Sequence, residues 1–158
     1  MTGYHHFYYL TNWSLMATTA YFHAPSRALH AVATVVSAMC TVMYWTAIYS
    51  PPRHRHREDG RGAFNFFVAV NVHGVSCAML LLDAFALSGG LTYAWRDIVG
   101  VLVFGGAWHA FGIGIFMNQG KWMYTFLAVP KQMACVYLLL PVIFFGFAKL
   151  QRVMFGTG

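Results

Sequence analysis

Charged side chains are missing over long continuous stretches of this chain. No Asp, Glu, Lys or Arg occurs before Arg27, between Arg27 and Arg53, between Asp97 and Lys121, or between Lys131 and Lys149. Only 9% of the 158 residues are charged and 59% are hydrophobic, against about 25% charged in an ordinary globular domain. There is too little polar surface here to wrap an apolar core in water, so a water-soluble fold is excluded.

About 20 apolar residues, rising 1.5 Å each along a helix, cross a hydrocarbon layer. Five stretches qualify: 7–23, 29–49, 63–87, 97–117 and 133–148. The expected fold is therefore all-α, a polytopic membrane helix bundle of about five transmembrane helices forming a single domain over 1–158. Its stops are Pro25 and Arg27, the polar loop 51–61, Ser88-Gly89-Gly90, and Asn118-Gln119-Gly120-Lys121. Trp and Tyr near span ends suit the interfacial aromatic belt.

The net charge is +6, from ten Lys and Arg against four Asp and Glu. A nucleic-acid module needs its cations on a soluble face, and none can be built here, so the expected partners are membrane lipids and other integral subunits. Arg53, Arg55, Arg57 and Arg61 fall in the 51–61 loop with Lys121 and Lys131 on the same side, while Arg27, Arg96, Lys149 and Arg152 fall on the other. The positive-inside rule makes the first side cytoplasmic or matrix. The four loop arginines are candidate ligands for anionic lipid headgroups. The N-terminal residues show neither a secretory signal nor a transit peptide, so any targeting signal is expected to be internal or already removed.

Ionisable groups inside spans are costly and each is a functional candidate. Asp83, near one end of the third span, would be neutralised by Arg96 or Arg27. His23 and His30 lie at the same end and are expected to be wet. His73 and His109 sit deeper, each nine residues from the opposite face, about 14 Å. Glycines surround both, Gly74 beside the first and Gly105, Gly106, Gly112 and Gly114 around the second. Two facing histidines at one depth would suit a haem b, while tight helix packing explains the same residues without one. Cys40, Cys77 and Cys135 each fall in an apolar run, no Cys/His pair stands at zinc spacing, and no metal site or other cofactor is expected. No nucleophile elbow or phosphate loop occurs. What remains for catalysis is a hydroxyl and a base, Thr11 and His73, separated in depth by about 9 Å in this reading.

The strings Tyr8-Tyr9-Leu10-Thr11-Asn12-Trp13, Tyr44-Trp45, Asn71-Val72-His73-Gly74 and Met79-Leu80-Leu81-Leu82-Asp83, with Trp122-Met123-Tyr124-Thr125-Phe126-Leu127, occur in this order. Over residues 7–128 the chain resembles the androgen-induced-protein and rolling-stone group of multi-span membrane proteins. Some members of that group are intramembrane lipid-ester hydrolases acting on fatty acid esters of hydroxy fatty acids. The resemblance implies a threonine nucleophile at Thr11, a histidine base at His73 and an endoplasmic-reticulum location. The chain departs from the group in lacking a span before the Leu-Thr pair and in carrying Thr125 where proline is usual.

A missing span would leave one flank of the bundle open for another subunit. The expected role is accordingly a non-catalytic accessory subunit of a larger membrane complex, respiratory or related, in the inner mitochondrial membrane. The alternatives are a hydrolase using Thr11 and His73, and a haem-binding subunit using His73 and His109.

Overall fold

A computed structural model describes residues 10–48, 67–68, 70–87, 92–122 and 128–156, and every regular element among them is helical. The loop arginines Arg53, Arg55, Arg57 and Arg61 lie outside the described residues, as do the expected span portions 7–9 and 63–66.

Helix α1 (Leu10–His23) ends where Pro25 removes a backbone donor. Helix α2 (Arg27–Met43) starts at the Ser26 cap, whose side-chain oxygen accepts from the Leu29 N–H, and it continues through a π turn, Tyr44–Ile48. Helix α3 is a succession of a π turn (Asn71–Val75), an α segment (Ser76–Leu82) and a second π turn (Asp83–Leu87). Helix α4 (Asp97–Gln119) closes on Gly120 at φ 67°, the left-handed C-cap that glycine adopts without strain. Helix α5 (Pro130–Phe155) closes the same way on Gly156. It extends past both expected ends: Pro130 fits the first turn, where no N–H is needed, and Lys149 and Arg152 are carried on the helix.

Three of these helices, over Arg27–Thr46, Asp97–Gln119 and Met133–Phe155, are long and apolar enough to cross a membrane. Helix α1 has 14 residues and the apolar part of α3 covers Asn71–Ala86, so within the described residues both are shorter.

Helix α2 is the centre of the bundle. Every residue from His30 to Cys40 is buried, the pattern of a helix surrounded on all sides, and it packs against α1, α3, α4 and α5. Small residues make that possible, since Ala31, Ala33, Ser37 and Ala38 keep the backbone accessible to close neighbours. The C-terminal ends of α1, α3 and α5 meet the N-terminal ends of α2 and α4 through the polar contacts described below, so consecutive helices alternate in direction.

The glycines of α4 divide between two faces. Gly105 and Gly112 are buried, and a Cβ on Gly105 would stand 2.9 Å from Cδ1 of the buried Leu140 on α5. Gly106 and Gly114 face outward, where a Cβ would meet nothing within 4 Å. Placing Ile at Gly105 is expected to overpack this contact and lower stability by about 1–3 kcal/mol. Gly106→Ala is expected to raise it by up to about 1 kcal/mol through helix propensity. Thermal unfolding of the two variants in one detergent checks the opposite signs.

Candidate functional site

Two polar clusters interrupt the apolar bundle, one at each end. The first gathers the residues expected to carry catalysis. Thr11 is half-buried in the first turn of α1, and its carbonyl accepts a hydrogen bond from Ser14 Oγ at 3.0 Å. The Cys40 thiol of α2 lies within hydrogen-bonding reach of the Ser14 and Thr11 side chains. At the next residue, the Thr41 hydroxyl sits between the Ser37 carbonyl, at 2.8 Å, and the carbonyl of His73 on α3. The His73 ring stacks on Tyr44, with centroids 3.9 Å apart and planes 10° from parallel. Both partners of this stack lie in π turns, whose extra residue per turn re-aims side chains relative to an α-helix.

Thr11 and His73 therefore belong to the same end of the bundle, and α2 joins them. The Thr11 hydroxyl and the His73 imidazole nevertheless meet different neighbours: Cys40 for the first, Tyr44 for the second. Nδ1 of His73 is buried without a hydrogen-bond partner among the described residues. The same holds for Nδ1 of His109 on α4, whose ring meets Tyr137 of α5 edge-on at 5.5 Å. His73 and His109 are thus each packed on a separate aromatic ring, one against α2 and the other against α5. Among the described residues no group of three or more His, Cys, Asp or Glu side chains is placed to hold a metal ion.

The second cluster ties the opposite end together. Tyr21 on α1 donates its hydroxyl to Asp83 Oδ2 on α3 at 2.5 Å. The same oxygen stands 3.4 Å from Nε2 of His30 on α2, an ion-pair distance without hydrogen-bond alignment. Nδ1 of His30 is 2.8 Å from the hydroxyl of Tyr93, and Thr34 Oγ1 is 3.5 Å from the same nitrogen. Burial pushes the Tyr93 phenol well above its ordinary range, so it stays protonated beside Nδ1. The Tyr93 N–H in turn donates to Oε1 of Gln151 on α5 at 3.1 Å. Alongside, Arg27 Nε is 2.7 Å from Asp97 Oδ2, which also accepts from the Ala94 N–H at 2.8 Å.

Three expectations change at this end. His30 is not wet but 0% exposed, because Tyr21, Asp83 and Tyr93 close around it while the rest of the first turn stays partly exposed. Asp83 is met by a phenol and an imidazole, while Arg27 pairs with Asp97 instead. Gln151, past the expected end of the fifth span, is 0% exposed. A carboxylate, an imidazole and a hydroxyl in series have the order of parts of a proton relay. Here the hydroxyl is the buried phenol of Tyr93, and the array links α1, α2, α3 and, through Gln151, α5.

Compared with known proteins, the chain matches no family model, no curated protein and no solved structure.

Removing one member of a buried pair leaves its partner uncompensated. Asp83→Ala is expected to cost about 3 kcal/mol of stability, and Asp83→Asn, which still accepts from Tyr21, clearly less. The spacing of the two unfolding midpoints in detergent measures the difference.

Proposed function

We propose that this chain is an integral membrane protein of five alternating helices, a non-catalytic accessory subunit that packs against other membrane subunits and lipid. The observation that carries this reading is the outward face of α4. Gly106, Ala110 and Gly114 recur at intervals of four residues along it, and a Cβ at either glycine would meet nothing within 4 Å. Lipid needs no such notch, whereas a neighbouring helix does, because small residues at this spacing let two backbones approach closely. Large apolar side chains flank the stripe, Val103 and Met117 among the most exposed, and would grip the incoming helix.

The host we assign is a respiratory or related complex of the inner mitochondrial membrane, which suits an apolar chain with a net charge of +6. The endoplasmic reticulum is the location that follows from the family resemblance. Substituting Leu for both Gly106 and Gly114 is expected to release the chain from its complex while the isolated bundle stays folded. Native gel migration of the two forms in mild detergent checks this: wild-type chain running alone, or the double variant still comigrating, would sink the proposal.

One arrangement favours a second reading, an intramembrane lipid-ester hydrolase. Thr11 and His73 come to one end of the bundle, and Nδ1 of His73 has no protein partner among the described residues. In that reading His73 takes the Thr11 hydroxyl proton as the oxygen attacks an ester carbonyl. Thr11→Ala and His73→Ala are each expected to lower ester turnover by about 100-fold or more, measured on purified protein with a fatty acid ester of a hydroxy fatty acid. Turnover unchanged in either variant would exclude the pair.

A further inference from the structure

Beside the polar tie of α5 lies a half-open groove of about 410 Å³, lined by Trp95, Phe144, Phe145, Ala148, Lys149 and Arg152. Five of these residues come from α5, where positions 145, 148, 149 and 152 share one helical face. The sixth, Trp95, stands in the segment before α4 and is 74% exposed. The groove is ordered along the helix axis. Phe144 and Phe145 lie toward the middle of α5, Ala148 leaves room at the floor, and the two cations lie toward its C-terminus.

The polar tie fixes where this groove sits. Tyr93, Asp97, Arg27 and Gln151 mark a polar level shared by α2, α4 and α5, and Lys149 and Arg152 bracket Gln151 on α5. With the bundle in a membrane, the cations fall at the headgroup level and the two phenylalanines at the level of the acyl chains. Trp95 takes the position of an interfacial anchor.

Charge points to one class of occupant. Both described carboxylates are already engaged inside the bundle, Asp83 with Tyr21 and His30 and Asp97 with Arg27. Lys149 and Arg152 have no carboxylate partner among the described residues, and no acid lines the groove. Two unpaired cations above an aromatic trough match an anionic head on an acyl chain. We infer that this groove binds one anionic phospholipid, with the phosphate held by Lys149 and Arg152 and an acyl chain laid along Trp95 and Phe145. The inference rests on the membrane reading given above. By the order of the spans in the sequence, the arginines of the 51–61 loop are expected on the opposite side of the membrane.

The test is native mass spectrometry of the full chain in detergent, titrated with dioleoyl phosphatidylglycerol against dioleoyl phosphatidylcholine. Wild-type chain is expected to retain one phosphatidylglycerol in preference to phosphatidylcholine. Lys149→Gln with Arg152→Gln should weaken that binding by about 30-fold, the combined effect of two cations near a membrane surface, and Lys149→Arg with Arg152→Lys should restore it. Trp95→Ala should weaken dioleoyl but not dihexanoyl phosphatidylglycerol. Equal retention of the two lipids by wild-type chain overturns the inference even if the double variant fails to fold. Undiminished binding in a folded double variant overturns it too. Displacement of the lipid by equimolar inorganic phosphate would assign the groove to a free anion instead. Alkaline carbonate extraction separates the two levels of failure: release of the chain from membranes defeats the membrane reading, whereas retention without lipid preference defeats only this site.

Discussion

The imidazole of His30, held between Asp83 and Tyr93, is the contact on which the arrangement of the helices depends. An apolar bundle supplies little to choose one rotation of its helices over another, because one hydrocarbon surface packs on the next with similar energy. Buried polar groups remove that freedom, since each has few acceptable partners and is costly without one. His30 faces α3 through Nε2 and the approach to α4 through Nδ1. Tyr21 brings α1 to the same carboxylate, and Gln151 brings α5 to the backbone of Tyr93. Five chain segments are thereby set in rotation and in axial position by a handful of hydrogen bonds, and the apolar contacts of α2 fill in around them.

Helix ends were legible because local chemistry writes them. Pro25, Ser26 and Gly120 act within one or two residues of their own position, and each marks a boundary that the fold respects. Partners across the bundle were not legible in the same way. Asp83 looked answerable by Arg27 or Arg96 because opposite charge is the conspicuous signal, yet a phenol and an imidazole on the facing helix surfaces meet it instead. The depth of a residue along a helix can be counted from the chain, whereas its rotation toward a particular neighbour depends on how every other helix packs. His30 shows the same limit: its first-turn position suggested water, and only the central place of α2 explains its burial.

The candidate catalytic pair illustrates both sides. That Thr11 and His73 share one end was readable from the alternation of spans. The thiol of Cys40 beside Thr11 and the ring of Tyr44 against His73 were not, since π turns at Tyr44–Ile48 and Asn71–Val75 carry no sequence signature and shift the faces of both helices. The glycines of α4 were legible as a set, and their division into an inward seat for Leu140 and an outward notch needed the neighbouring helix in place.

Pro141 stands in the middle of α5, where its ring deprives the carbonyl of Tyr137 of its helical donor. On one side of it the helix is anchored through Gln151. On the other lie Val136 and Leu140, held by apolar contact, and Tyr137, whose ring touches His109. Among the described residues the helix thus consists of a half tied by a hydrogen bond and a half held by side-chain packing, joined at a weakened backbone link. The missing backbone hydrogen bond lowers the cost of bending α5 at this point, between the ring contact with His109 and the Gln151 anchor.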